Sequence, residues 1–374
     1  MILKNCCFYN EAFEKDYADI EITADGKIGR IGIIDEDGTD MAGKTVIPGF
    51  IDVHIHGAAG GDFGDADTES LNKMSTYLAK NGITSFCPAS MTLGEDELCK
   101  ILECGAQYAG SEAGAKIAGF HIEGPFISKA KKGAQNEKYI RPGTIEEFKR
   151  LNSCAGGKIK IITIAPEAFE SNDFIKYVKG ECAVSLGHSS ANACECKKAV
   201  NAGITHATHL YNAMTPMTHR EAGAVGALLD SEGVMCEIIC DGGHICPAVI
   251  RNTFKILGEN RAIVISDSMK AAGLGTGVFD LGGQEVFVNE NAKYAVLKDG
   301  TIAASISNIY LEFKNLISWG IDFKTALKSC TINPARSIGK EHETGSIATG
   351  KYADIVALDA SLNITDVFIN GVKI

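Results

Sequence analysis

The nine residues Gly49-Phe50-Ile51-Asp52-Val53-His54-Ile55-His56-Gly57 carry the densest chemical signal in the chain. On a strand, positions i and i+2 face the same way. His54 and His56 would therefore present two imidazoles side by side, and neutral imidazole is the commonest protein metal ligand. A lone His-x-His is weak, because two unrelated histidines on an exposed strand read the same. What strengthens it is that ligand-type residues recur at the ends of later apolar segments: Glu123, His188, His209, the run Asp241 to His244, and Asp267. A divalent cation held by imidazoles and a carboxylate, with a position open to water, lowers that water's pKa from about 16 toward about 7 and polarises a carbonyl. Asp267 would take the water's proton and deliver it to a departing nitrogen, and His244 would donate to the developing oxyanion. The set predicts metal-assisted hydrolysis of a C–N bond.

The elements that must position these groups follow from the hydrophobic pattern. After the His-x-His strand, apolar segments at Gly82–Pro88, Lys116–Glu123, Ile159–Pro166, Cys182–His188, Thr205–Tyr211, Val234–Asp241 and Arg261–Asp267 read as strands. Helical stretches separate most of them, among them Thr68–Asn81, Glu95–Tyr108, Glu167–Lys179, Ala191–Ala202 and Pro247–Leu257. Strands alternating with helices make βαβ units and a parallel sheet. Eight such units predict an α/β chain closed into a (β/α)₈ barrel, whose site lies at the C-terminal ends of its strands. Beyond the eighth strand, Gly282–Asp299 reads as a strand-rich excursion, and Ser305–Trp319 and Asp322–Cys330 as helices. Asn333 looks like an N-cap with Pro334 at the first helical position. Residues 1–48 and 345–374 are both β-rich, with turns at Asp25-Gly26 and Asn370-Gly371. They are expected to pair into one small domain beside a catalytic barrel spanning 49–344.

Composition narrows the function classes. Hydrophobic residues make up 45% and charged residues 22% of the chain, ordinary for a globular protein with a large core. A net charge of -11 argues against nucleic acid or an anionic membrane as partner. An anionic substrate would need local positive groups. No apolar stretch reaches the roughly 18 residues that span a membrane, and Lys4, Glu11 and Glu14 stand where a leader's apolar run would be. A cytoplasmic location is expected. The 13 scattered cysteines suggest free thiols, with Cys87, Cys182, Cys236 and Cys240 as small core residues. Among the remaining histidines, His121 shares Glu123's strand face and would either support the ligands or pack in the core. His206 points away from His209 and reads as structural, His342 as a surface residue, and His219 as a loop residue beside Arg220. Lys129, Lys131 and Lys132 form a solvated basic run that would at most guide an anion inward.

Several runs together carry a resemblance: Gly119-Phe120-His121-Ile122-Glu123-Gly124-Pro125-Phe126, Gly187-His188-Ser189, Thr208-His209-Leu210-Tyr211-Asn212-Ala213-Met214, Thr218-His219-Arg220-Glu221, Asp241-Gly242-Gly243-His244 and Ser266-Asp267. With the His-x-His strand they resemble the amidohydrolase superfamily and, within it, the deacetylases of 6-phosphorylated N-acetyl amino sugars, over nearly the whole chain. The resemblance implies a TIM-like barrel joined to a small β-sandwich made from both chain termini. It implies hydrolysis of the acetamide of N-acetyl-D-glucosamine 6-phosphate to D-glucosamine 6-phosphate and acetate, with the galacto epimer, a deaminase or a cyclic amidase as alternatives. Glu123, His188 and His209 would hold the metal that activates water, and His54 and His56 a second one bridged by Glu123, with Asp267 beside them as acid/base and ligand. The cofactor would be Zn²⁺ or Fe²⁺, with Mn²⁺ or Co²⁺ also suited, as one or two ions per subunit. His244, with Asp241 beside it, would orient the substrate and polarise the acetyl carbonyl. Asn212 and Ala213 would bind sugar or phosphate, and Ala134 with Ile302, Ala303 and Ala304 would line the sugar pocket. Arg220 would grip the phosphate from the neighbouring subunit, which implies a homodimer; its planar fork matches a phosphate. Some members have histidine where Gln135 stands, so Gln135 receives no role. A cyclic amidase of the dihydroorotase type would be expected to carry a lysine at the end of the fourth strand, where this chain has Ile164-Ala165-Pro166-Glu167. A deaminase has no use for Arg220, and a barrel kept only for assembly would have lost ligands.

Overall fold

In the computed structural model, which describes residues 1–374, the apolar runs become eight short barrel strands. These are β1 (Phe50–Ile55), β2 (Ile83–Ser90), β3 (Phe120–Glu123), β4 (Ile159–Ile164), β5 (Ala183–Leu186), β6 (His206–Ala207), β7 (Met235–Ile239) and β8 (Ala262–Ile265). Neighbours pair in parallel and in sequence order. Between β8 and β1, the Asp267 N–H donates to the His54 carbonyl at 2.9 Å, and the ring closes. Strands covered on both faces read as continuous apolar runs, and all eight residues of β2 are buried.

The covering helices are α1 (Thr68–Lys80), α2 (Glu95–Tyr108), α3 (Ile145–Cys154), α4 (Asp173–Val178), α5 (Ala193–Ala202), α6 (Gly223–Leu229), α7 (Pro247–Arg261), α8 (Ile309–Ser318), α9 (Phe323–Cys330) and α10 (Ile332–Ser337). Asp67, Thr144, Asn192, Asn308 and Asp322 accept backbone N–H groups of the first turn and set where α1, α3, α5, α8 and α9 begin. The helix expected over 167–179 is instead a 3-10 turn, Pro166–Ala168, followed by the shorter α4. Ser171 Oγ donates to the Asp173 carboxylate, one of the local bonds that compete with helix in Ser and Asn stretches. Asn333 is not a cap. It lies inside α10, where its amide donates to the Glu259 and Ala262 carbonyls at 3.0 and 2.9 Å. A buried amide took tertiary acceptors in place of its own helix end.

Two cysteines depart from the free-thiol expectation. Cys99 on α2 and Cys154 on α3 form a disulfide across 55 residues, because these helices are neighbours; the other 11 are free. Cys87, Cys236 and Cys240 are buried as expected, and Cys182 is half-buried.

The strand-rich excursion is longer than the sequence suggested. Gly277–Leu281, Gln284–Val288, Tyr294–Leu297 and Ile302–Ser305 form an antiparallel four-stranded sheet over the barrel mouth. The chain ends meet in a separate sheet: Thr45–Pro48 pairs on one side with Ile2–Tyr9 and on the other with Ile355–Leu358. That sheet encloses its own apolar cluster of 13 residues, including Leu3, Phe8, Met41 and Phe368, which separates it from the barrel as a second domain. No helix is long and apolar enough to cross a membrane.

Candidate metal and substrate site

The predicted ligands converge at the C-terminal rim. Glu123 stands at the centre, with Oε1 at 2.9 Å from His209 Nε2, 3.2 Å from His188 Nε2 and 3.5 Å from His54 Nε2. Its Oε2 lies 3.3 Å from His56 Nε2. Asp267 Oδ1 is 3.2 Å from His56 Nε2 and 3.5 Å from His54 Nε2. Two adjacent clusters result, Glu123–His188–His209 and His54–His56–Asp267. The strand ends turn sharply to bring them in: His188, His209 and Asp267 have φ of 47°, 30° and 46°, a region that non-glycine residues rarely enter outside functional sites. Gly187 permits the first of these turns, since a Cβ there would lie 2.6 Å from Thr208 Cβ.

The donor set fits a divalent cation. His54 Nδ1 faces Glu237 Oε2 at 2.9 Å, His56 Nδ1 the Ala89 carbonyl at 3.1 Å, and His188 Nδ1 the Lys131 carbonyl at 2.8 Å. Each acceptor assigns the ring proton to Nδ1 and leaves an Nε2 lone pair aimed at the cluster. The Nε2 atoms of His188 and His209 are only 3.1 Å apart beside a carboxylate. The fully buried His54 Nε2 has no hydrogen-bond partner at all. Electron-rich atoms converging this way are satisfied by a metal. The electrostatics agree: burial lowers the His56 pKa, but Asp267 and Glu123 outweigh it and raise it to about 10. Burial likewise opposes ionisation of Glu123, yet the surrounding imidazoles hold its carboxyl well below the usual range. The cluster is a well for positive charge.

Beside the cation cluster is a cavity of about 320 Å³, lined by His56, Glu123, Ala134, His188, His209, Asn212, Ala213, His244, Asp267, Ile302 and Ala303 among others. His54 lies beneath it, buried. Asp241 is outside the lining and holds His244 Nδ1 at 2.7 Å instead. Ala304 is also outside it, buried in an apolar cluster with Met91 and Met269. Arg220 is exposed on a loop away from the lining, and forms no ion pair within the chain. His121 is buried, bonded to the Val53 carbonyl and to Thr163 Oγ1 at 2.7 Å; burial and the neighbouring His54 push its pKa down to about 3, so it stays neutral.

Sequence reasoning missed two polar contacts of the ligand set. Gln135 donates from Nε2 to Glu123 Oε2 at 2.7 Å and accepts the Thr92 N–H at 2.7 Å; nothing in its spacing signals this. Glu237 binds His54, and the signal was present: a carboxylate in the middle of the apolar run Met235–Ile239.

A barrel carrying such a centre at its C-terminal rim, with a terminal β-sheet alongside, defines a class. The amidohydrolase family's sequence profile matches residues 45–374, and the chain belongs to that family. The N-acetylglucosamine-6-phosphate deacetylase of Bacillus subtilis (strain 168) is 36% identical over 373 residues, covering 95% of this chain and 91% of that protein. The Homo sapiens protein of the same name is 34% identical over 346 residues, covering 89% and 84%. Of solved structures, that of the Thermotoga maritima deacetylase superposes with a TM-score of 0.90 at 31% identity, covering 100% of this chain and 99% of that one. A Mycobacterium smegmatis deacetylase variant in complex with N-acetyl-D-glucosamine-6-phosphate gives 0.92 at 28% identity, covering 100% and 98%. Within the amidohydrolases, the chain groups with the N-acetylglucosamine-6-phosphate deacetylases.

Proposed function

We propose that this chain is a metal-dependent deacetylase that hydrolyses the acetamide of N-acetyl-D-glucosamine 6-phosphate to D-glucosamine 6-phosphate and acetate, a step of amino-sugar breakdown. The observation that carries the reading is the convergence of Glu123, His188 and His209, with His54, His56 and Asp267 adjoining, on one cavity. A divalent cation, Zn²⁺ or Fe²⁺ before Mn²⁺ or Co²⁺, supplies there a Lewis acid and an acidified water. One or two ions fit the two adjoining clusters.

The remaining work falls to side chains. Asp267 faces the cavity and takes the proton of the attacking water, then returns it to the amino nitrogen as the C–N bond breaks. His244 keeps Nδ1–H on the Asp241 carboxylate at 2.7 Å. That bond orients the imidazole to polarise the acetyl carbonyl, and it keeps Asp241 ionised: burial raises the Asp241 pKa, but the bond from His244 outweighs this and lowers it. Asn212 and Ala213 contact the sugar or its phosphate, Ala134, Ile302 and Ala303 wall the sugar ring, and Ala304 backs that wall. Arg220 serves the site of the second subunit in a homodimer, which accounts for its exposure in the single chain. Residues 1–48 with 345–374 form the small domain and 49–344 the catalytic one, in a cytoplasmic enzyme.

Incubation of metal-replete protein with N-acetylglucosamine 6-phosphate, and separately with unphosphorylated N-acetylglucosamine, with acetate measured, tests the assignment. Turnover of the phosphorylated sugar and little of the other is expected; equal turnover would reject phosphate recognition. N-acetylgalactosamine 6-phosphate belongs in the same assay, because an Escherichia coli O157:H7 relative named for that epimer is 31% identical over 351 residues.

A further inference from the structure

Glu237 projects from β7 into the barrel, fully buried, directly below the ligand cluster. It touches both halves of that cluster. Its Oε2 accepts Nδ1–H of His54 at 2.9 Å and the backbone N–H of His209 at 3.1 Å. Its own carbonyl accepts the Leu210 N–H at 2.8 Å, so side chain and main chain together grip the 209–210 turn. Oε1 lies 3.1 Å from His206 Nε2, close enough for an ion pair but without hydrogen-bond geometry. The ion-pair partners of this carboxylate are these imidazoles, with no lysine or arginine among them.

We propose that Glu237 is the positioning residue of the whole metal centre. It fixes His54 as the Nδ1–H tautomer, which aims the unpartnered Nε2 lone pair between Glu123 and Asp267, both 3.5 Å away. It also pins His209 in its left-handed turn at φ 30°, which swings Nε2 onto Glu123 Oε1 at 2.9 Å. One carboxylate thereby governs a ligand of each cation position: the side chain of the first and the backbone of the second. His121 does not share this task. Its ring packs 4.3 Å from that of His54, but its nitrogens are taken by Val53 and Thr163. A carboxylate behind a metal-bound imidazole raises ligand basicity, and its loss lowers metal affinity about 10–100-fold. The inference rests on the metal-dependent reading of the site and not on the identity of the substrate.

The test is chelator competition on the holoprotein, comparing wild type with Glu237→Gln as Zn²⁺ is drawn off by chelators of rising strength. Glutamine keeps the shape and one acceptor oxygen but removes the charge. Zn²⁺ affinity is expected to fall about 10–100-fold, with thermal unfolding of the metal-stripped protein unchanged. Wild-type affinity in the variant overturns the proposal, as does a lower Tm with affinity intact, which would leave Glu237 a purely structural role. Should the variant fail to fold, long-range ¹H–¹⁵N spectra of the wild-type holoprotein read the His54 tautomer directly. A proton on Nδ1 is expected, and a proton on Nε2 overturns the proposal. Failure of the wild type to bind Zn²⁺ would sink this inference and the metal-centre reading together, whereas metal-loaded protein that does not deacetylate the sugar phosphate counts only against the substrate.

Discussion

Asp267→Asn isolates the proton transfer from the architecture around it. The Asp267 backbone does the structural work: its N–H donates to the His54 carbonyl at 2.9 Å and its carbonyl accepts from Ser305 at 2.9 Å, joining β8 to β1 and to the sheet over the mouth. Asparagine is isosteric, preserves both bonds, and keeps an oxygen where Oδ1 stands 3.2 Å from His56 Nε2. What it loses is the ability to take a proton and give it back. General acid or base catalysis contributes about 10²–10⁴-fold, and here one group would serve in both halves of the reaction. A fall in kcat of about 10³–10⁴-fold is therefore expected, equivalent to about 4–5.5 kcal/mol of lost transition-state stabilisation. KM should move only a few-fold, because the interaction lost is made in the transition state. The assay follows acetate from N-acetylglucosamine 6-phosphate under excess Zn²⁺, with bound metal quantified in the same preparation. A variant that retains its metal and keeps kcat within about tenfold of wild type would remove Asp267 from proton transfer.

Arg220→Ala should leave stability within about 0.5 kcal/mol, since the side chain is exposed and unpaired within the chain. Losing its charge-assisted bonds to phosphate, worth about 1.5–3 kcal/mol, should cut kcat/KM for the phosphorylated sugar about 10–150-fold and leave the unphosphorylated one unaffected; an equal loss on both would refute phosphate recognition. Mixing Arg220→Ala with Asp267→Asn chains should restore activity through hybrid dimers, and no recovery would place Arg220 in its own subunit's site. In the terminal sheet, Asp366 lies 2.7 Å from Lys44 Nζ and 2.5 Å from Lys373 Nζ. Burial raises its pKa, but the two lysines outweigh that and lower it from 3.8 to about 2. A carboxyl depressed on folding stabilises the protein above its unfolded pKa, and that stabilisation is lost as pH falls through the folded one. The gap in Tm between wild type and Asp366→Asn should therefore close between about pH 4 and pH 2; a gap independent of pH would show that the ion pairs contribute nothing.

The rim of the barrel was legible because a parallel strand writes its burial as an apolar run and ends where polarity returns. His54, Glu123, His188, His209 and Asp267 all sit at such ends, so their convergence on one rim could be expected before any geometry was known. What the pattern hid was whatever depends on which chain segments become neighbours. The Cys99–Cys154 bond requires that α2 and α3 pack side by side, and no spacing rule over 55 residues encodes that. Asn333 looks like a cap locally, yet its amide is claimed by carbonyls at 259 and 262. Gln135 reaches Glu123 from a loop whose course no periodicity describes.

Glu237 and Arg220 fall outside a reading of strand ends for opposite reasons. Glu237 lies one layer below the rim, where an apolar parallel strand has no structural use for a charge. Its burial is costly unless paired, and the His54 imidazole at 2.9 Å and the His209 N–H at 3.1 Å are the partners that make it tolerable. A carboxylate inside such a run is therefore a pointer to basic ligands overhead. Arg220 is exposed and unpaired, which on an acidic surface leaves its charge uncompensated within the chain. The phosphate role proposed for it calls on a surface of a second subunit. The candidate ligands, down to the carboxylate beneath them, thus come together within the single chain.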